Sequence, residues 1–425
     1  MDKGKRAASS RWKKQTEDWE EREKLRGTEP DEYEDRRKRD KRKKKRLSPM
    51  WSRLIKIFLI LLAAFLGLFL WLNRDNLHPE TVVDWLHEKI VGMGVGDGYP
   101  TPIIGSTVAE GNFDSSNGDL VMVSDTHLTV MNSTAKELMS RQHSFTTPAL
   151  KLAGTRMLVY NLGGKGYQVE SYTKTLVKET GEEKIFGGGI SSEGTYALLT
   201  EAEGYFGKLT VYTPENEERF RYRFSSAYPT AVAVDGGGGK ALVTGVSSKD
   251  GALLSSLYLL DMNSTESQEP LGEYEDTLFL GAYICPDGTA VAVGDTRTVV
   301  VPSGGSPQVY EYGSRQLASY DVGDDVTALC LLPYDTASSG ELILLGHDGA
   351  VRKTISVGSA MESVSIAGNT VAVLGGGVLS GYSISDGSPA GQAEAGSDGI
   401  AVAMRDETSA YILGVSEIRM VSLAR

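Results

Sequence analysis

Cysteine is almost missing from this chain: Cys285 and Cys330 are the only two among 425 residues. A disulfide-stapled scaffold is therefore excluded, and without a Cys-x-x-Cys there is no redox pair or paired zinc ligand of that type. Histidine is nearly as scarce. The five, at positions 78, 87, 127, 143 and 347, include no pair at metal-ligand spacing, and His-Glu-x-x-His does not occur, which removes the zinc-protease class. His127 stands two residues after Asp125 and reads as a polar turn edge. Gly-x-Ser-x-Gly is missing too. Ser133-x-x-Lys136 and Ser171-x-x-Lys174 have the spacing used by penicillin-recognising enzymes, but neither opens a helix or has the partner motifs. The acidic run 321–325, Asp-Val-Gly-Asp-Asp, lacks the alternation of a calcium loop. These residues assign no catalytic, cofactor or metal site. Beyond residue 92 helix signals are nearly absent, and no Trp follows Trp85.

What the chain does have is one long apolar run. Residues 57–72, IFLILLAAFLGLFLWL, are sixteen positions without a charge, and counting from Leu54 the stretch reaches nineteen, broken only by Lys56. A helix of that length rises ~28 Å, close to the roughly 30 Å hydrocarbon core of a bilayer. Lys56 lies one turn from the end, where its ammonium reaches the headgroups, and Trp51 and Trp71 bracket the run as interfacial aromatics do. More than fifty residues precede it and no small-residue cleavage site follows, so a cleaved signal peptide does not fit. The pattern predicts a retained transmembrane helix over 51–73.

Charge then sets the orientation. Residues 36–46 hold ten Lys or Arg in eleven positions. Residues 1–56 carry 21 basic residues against 12 acidic, and the other 369 carry 23 against 44. Basic flanks stay in the cytoplasm, so the N-terminus is expected inside and the large C-terminal part outside. The basic run has no interleaved aromatics and lies beside the bilayer. Anionic lipid headgroups, at about 1 kcal/mol per nearby basic residue, are its expected partner rather than nucleic acid. Residues 1–50 have too few aliphatic side chains to offset the entropy of ordering and read as a disordered cytoplasmic tail.

Residues 74–102 read as a juxtamembrane connector. Pro79 suits a first helical position, Gly92 a helix end, and Val82, Leu86 and Ile90 share one face. Residues 92–102, GMGVGDGYPTP, then read as a Gly/Pro linker. They resemble a dinucleotide fingerprint only superficially, because they follow a helix and open none.

From residue 103 one pattern recurs: a turn residue, usually Gly, then a short apolar strand. It occurs after Gly118, Gly154, Gly194, Gly239, Gly288, Gly340 and Gly368, and after Thr408. The mean spacing of about 41 residues matches a four-stranded propeller blade. Short antiparallel sheets need a closed ring to protect their edges. The fold class expected is all-β: a seven- or eight-bladed β-propeller over 103–425, with the 28-residue gap between Gly340 and Gly368 leaving the count open. The last unit has only three strands, and residues 103–110 are expected to supply its fourth.

Aligning the repeats on Pro286 and Pro333 puts the two cysteines roughly 10 Å apart along their strands, beyond disulfide reach, so two buried free thiols are expected. The alternation from Arg219 to Phe224 reads as a strand with its rings inward and its arginines in water. The loop 201–207, EAEGYFG, places Tyr205 and Phe206 outward and is the expected contact loop.

Three stretches, GDGYPTPIIGS at 96–106, LVYNLGGKG at 158–166 and SSEGTYALLTEAEGYFGKLTVY at 191–212, resemble a family of single-pass, membrane-anchored propellers from Gram-positive bacteria, defined only as a domain of unknown function. The resemblance covers roughly residues 75–425. It implies the propeller fold and the plasma membrane, and it carries over no activity and no catalytic residues. The GH…WD of WD repeats and the blade-end Gly-x-x-x-Trp of quinoprotein propellers are missing. The function expected is a non-enzymatic, extracytoplasmic binding or scaffold protein that contacts a protein or a wall component. The alternative is a propeller-fold hydrolase or lyase acting on wall glycan, which requires ionisable groups converging at the channel mouth.

Overall fold

Each repeat folds into a four-stranded antiparallel meander, and there are eight of them in the computed structural model, which describes residues 94–334 and 339–424. The expected tail 1–50, transmembrane helix 51–73 and amphipathic helix 79–92 lie outside the described residues. Among the described residues no helix is long and apolar enough to cross a membrane. In chain order the blades span 108–142, 148–180, 185–224, 228–275, 279–311, 315–357, 363–394 and 401–422.

The second strand of each blade explains the repeat signal. In the first blade it is Asp119–Ser124. Leu120 and Met122 enter a core shared with the eighth blade, and Val121 and Val123 enter one shared with the second. Buried on both faces, such a strand reads as a continuous apolar run. Eight hydrophobic clusters result, one at each blade-to-blade boundary, including the one between blades 8 and 1. The ring is therefore closed by packing as well as by strand pairing. A fully buried Leu or Val contributes roughly 1.5–3 kcal/mol. The fourth strands are half-exposed and alternate instead. In Glu218–Phe224, Phe220 and Tyr222 pack on the core while Arg219, Arg221 and Arg223 face water, as their spacing foretells.

The structure has eight blades, and it also explains the irregular spacing. In the sixth blade Gly340 opens the third strand, Gly340–Gly346; the second strand is Val326–Pro333, entered by a Gly-Asp-Asp turn. Measured from that turn, the 52- and 28-residue gaps become ordinary blade lengths. The Pro286–Pro333 alignment fails for the same reason, since Pro286 follows a first strand and Pro333 ends a second. Both cysteines are nonetheless free and buried. Cys285 packs against Leu329 and Leu331 on one face of Val326–Pro333, while Cys330 points from the other face toward blade 7.

Closure differs from expectation by one turn. The fourth strand of the last blade is Thr101–Pro102, paired with Ile418 and Glu417, and not residues 103–110. Ile103 and Ile104 pack on the core between blades 8 and 1, and Val108–Ser116 forms the innermost strand of blade 1. A proline without an N–H suits an edge strand. Residues 94–102 are a fitted strap and not a free linker. The Gly96 N–H donates to Thr134 Oγ1 at 2.9 Å, Asn132 Nδ2 donates to Gly94 O at 3.1 Å, and the Tyr99 hydroxyl donates to Asn132 O at 3.0 Å. A Cβ at Gly96 would stand 2.4 Å from Lys136 N and Thr134 O. A second latch joins Ala424 to Gln392 of blade 7 by two backbone hydrogen bonds.

First strands line the central channel and have no strand on their inner edge. Side chains of the preceding blade satisfy part of that edge. Asn112 bridges Pro148 O and Leu150 N at 2.8 Å each, Ser363 and Ser365 accept from Val402 and Met404 N–H, and Asp321 accepts from Ile366 N at 2.7 Å.

Candidate functional site

In a ring of such meanders the turns between strands 2 and 3 and the blade-to-blade loops emerge on one face, here called the 2–3 face. The turns between strands 1 and 2 and between strands 3 and 4 emerge on the other, the 1–2 face. Fourteen large apolar side chains are exposed among the described residues. Ten of them lie on the 2–3 face: Leu162, Tyr205, Phe206, Tyr228, Leu253, Leu280, Tyr334, Val378, Ile400 and Val415. Singly exposed apolar residues are ordinary, but their distribution between the two faces is uneven.

The densest part of that face joins blades 3 and 4. Tyr205 and Phe206 begin the third strand of blade 3, Tyr205–Tyr212, and are 46% and 39% exposed. Phe206 meets Tyr228, itself 56% exposed, edge to face at 4.7 Å between centroids. The Arg223 guanidinium lies 5.6 Å from the Tyr205 ring centre. A Cβ at Gly207 would stand 2.7 Å from the Pro229 ring, so the absence of a side chain lets the two blades meet closely here. Beside Tyr228 rises the longest hairpin, Lys240–Lys249 and Ala252–Asp261, turned through Asp250 and Gly251 at φ 52° and 86°. The rings are therefore mounted on strands, Phe206 and Tyr228 held by each other and Tyr205 beside Arg223. The exposure of Tyr205 and Phe206 was legible in sequence; Arg223 joins Tyr205 through strand pairing within blade 3, and Tyr228 reaches Phe206 only across the blade boundary.

The channel opens at the 1–2 face into a cavity of about 580 Å³. Ionisable groups of four blades approach one another along the channel: Asp114, Lys151, Tyr283, Tyr320 and Asp321, of which Lys151 and Tyr283 line this cavity. No motif links them in sequence. Asp114 keeps surface accessible to channel water yet has protein all around it. That enclosure, with the Asp321 charge adding to it, pushes its carboxyl up to about 7 against the pull of the Ser115 N–H at 2.7 Å and of Lys151. Enclosure likewise pushes Asp321 up to about 6, although the N–H groups of Ile366 and Val322 stabilise its charge. Lys151 is pushed down from the usual lysine range by the same enclosure, with Asp114 resisting. The Tyr283 and Tyr320 hydroxyls stand 3.3 Å apart. The Cys285 and Cys330 thiols are both pushed up to about 12 by burial, which leaves them unreactive. His127 sits at a turn edge with Nδ1 3.0 Å from Thr126 Oγ1.

A family model described as a family of unknown function (DUF5711) matches residues 104–417. No curated protein matches the chain. Among solved structures, the computationally designed Ika8 protein superposes with a TM-score of 0.52 at 12% identity, over 76% of this chain and all of that one. The C-terminal WD40 domain of Sif2 gives 0.52 at 11% identity, again over 76% of this chain and all of that one. BamB from Moraxella catarrhalis gives 0.46 at 12% identity, over 77% of this chain and all of that one. The first two likenesses show the propeller fold and nothing finer.

Proposed function

We propose that this chain, which belongs to a family of unknown function (DUF5711), is a non-enzymatic binding scaffold displayed outside the cytoplasmic membrane. Its anchor is the apolar run 51–73, and its basic tail rests on anionic headgroups inside. The observation that carries the binding role is the aromatic cluster of Tyr205, Phe206 and Tyr228 with Arg223 on the 2–3 face. Tyr and Arg on a rigid support are the residue types that dominate protein interfaces, and Phe206 and Tyr228 lose little freedom on docking because they already pack on each other. The partner is a protein or wall component. The surplus of acidic residues in 57–425 favours a cationic one and makes its association salt-dependent.

Photo-crosslinkers placed at 205, 206 and 228 in native membranes test this. Specific adducts at these positions, weakened by salt, are expected, with none at Asn216 on the opposite face. Adducts at Asn216 alone, or at neither face, sink the reading. The topology has its own check: protease added to whole cells should digest the propeller, and protection of it would place the domain inside.

The convergence of Asp114 and Asp321 favours a second reading, a hydrolase or lyase acting on wall glycan with a raised-pKa carboxyl as its acid. Turnover of wall glycan that disappears in Asp114→Asn while the fold persists would support it; no turnover with either protein would remove it.

A further inference from the structure

We infer that residues 94–107 form a tension-released clasp, a strap that peels away when the chain N-terminal to it is pulled, while the eight blades stay closed. The source of the pull rests on the anchored reading above: the apolar run 51–73 held in a bilayer and a partner held on the 2–3 face. A polypeptide is a single covalent thread, so a load between that run and the propeller enters at Gly94 and nowhere else.

From Gly94 onward the attachments of the strap are met one after another. Asn132 Nδ2 donates to Gly94 O, and the Gly96 and Gly98 N–H groups donate to Thr134 Oγ1 and Thr134 O. The Tyr99 hydroxyl donates to Asn132 O, and its ring centre lies 5.5 Å from that of Tyr411. The pairing of Thr101 and Pro102 with Ile418 and Glu417 follows, and Pro102 brings no N–H to it. Beyond it the Ile103 N–H meets Ser416 O at 3.2 Å and the Ser106 N–H meets Asp125 Oδ1 at 2.7 Å. Each such bond is worth about 0.5–1.5 kcal/mol net, and bonds loaded singly give way singly. A blade resists differently: its four strands pair and pack together, and such a motif opens as one cooperative unit.

The ring does not need the strap to stay joined. Leu120 and Met122 of blade 1 and Tyr411, Leu413 and Ile418 of blade 8 bury one another in the closing core, to which the strap adds only the partly buried Tyr99, Ile103 and Ile104. The Tyr411 hydroxyl donates to Gly118 O at 2.8 Å, and the Ser115 hydroxyl donates to Met404 O, so hydrogen bonds also cross this boundary without the strap. The latch of Ala424 on Gln392 lies away from it. A freed strap, 14 residues at ~3.5 Å each, adds up to about 50 Å of chain, and the load falls before it reaches a blade.

Optical-tweezers extension of the full chain in detergent tests this, with handles on Met93→Cys, just before the strap, and on Glu215→Cys, in an exposed turn of blade 3. The two native thiols are buried and take no handle. A first, reversible event that releases no more than about 50 Å of chain, at a force below that of any blade, is expected. Gly96→Ala should lower the force of that event or abolish it and leave the later events unchanged, because its Cβ meets only the seat of the strap on residues 134–136. A parent chain whose first event releases a whole blade, or the strap and a blade together, overturns the clasp. So does a Gly96→Ala chain in which every event shifts alike. Both handles lie on the propeller side of residues 51–73, so a failure of the anchored reading, scored by protease on whole cells, is separate from a failure of the clasp.

Discussion

Asp114→Asn should leave the propeller's stability unchanged at pH 4 and raise it at pH 8. Unfolded, Asp114 has an ordinary aspartate pKa of 3.8; in the channel, enclosure and the Asp321 charge push it up to about 7. Between those values the folded chain holds a proton that the unfolded chain has released. Stability therefore falls as pH rises through the window, and the loss is complete above about pH 7. Asparagine cannot ionise and escapes the loss, and its Oδ1 can still accept the Ser115 N–H at 2.7 Å. A displacement of about three pH units is worth ~4 kcal/mol for a carboxyl cut off from water. Asp114 retains surface accessible to channel water, and screening there reduces the gain to about 1–2 kcal/mol. Spread over the unfolding entropy of a propeller of roughly 320 residues, that raises the melting temperature by about 2–3 °C. Scanning calorimetry of parent and variant at pH 4.5, 6, 7 and 8 reads the difference directly. A difference that does not change with pH, or a variant that melts lower at pH 8, would refute the assignment of Asp114 as an enclosed carboxyl.

Asp321→Asn should destabilise at low pH by about 1–3 kcal/mol, because each carboxylate oxygen accepts a backbone N–H and an amide nitrogen cannot, and by less above about pH 6, where the parent has itself lost stability through a carboxyl pushed up to about 6; a low-pH melting curve equal to the parent's would contradict the inner-edge bonding described for the channel. Native protein should show no reaction with a thiol reagent, and denatured protein should show two thiols without any reductant, since Cys285 packs on one face of Val326–Pro333 and Cys330 leaves that strand from the other; a titre that appears only after reduction would mean a disulfide. Gly96→Ala should detach the strap at a cost of about 1–3 kcal/mol, because the new Cβ meets backbone atoms of 134–136. Faster proteolysis between residues 94 and 107 reads that loss, and an unchanged cleavage rate would show the strap to be unimportant.

The blades were legible because a second strand buried on both faces has to be apolar at every position, and a tight turn has to precede it. Where the turn glycine stands three residues before its strand, farther than in the other glycine-led repeats, the reading slipped. Val326–Pro333 follows Gly-Asp-Asp, and Gly340, one strand later, stood in for it. The strap was misread for a related reason. Gly96 and Gly98 look like slack in a sequence, yet at Gly96 the missing side chain is what allows the backbone to lie against residues 134–136. Tyr205 and Phe206 could be singled out because they interrupt a polar loop, whereas Tyr228 opens a strand and looked like any strand aromatic.

By itself the sequence determined the all-β repeat and the alternation that turns rings inward and arginines outward. Each depends on periodicity along a single strand, which a linear chain records. The count of eight, the closure through Thr101 and Pro102, the gathering of apolar side chains on one face and the meeting of Asp114, Lys151 and Asp321 were decided by the ring. Those residues are far apart in the chain and become neighbours only when the first strands converge on a common axis, so no local pattern carries them.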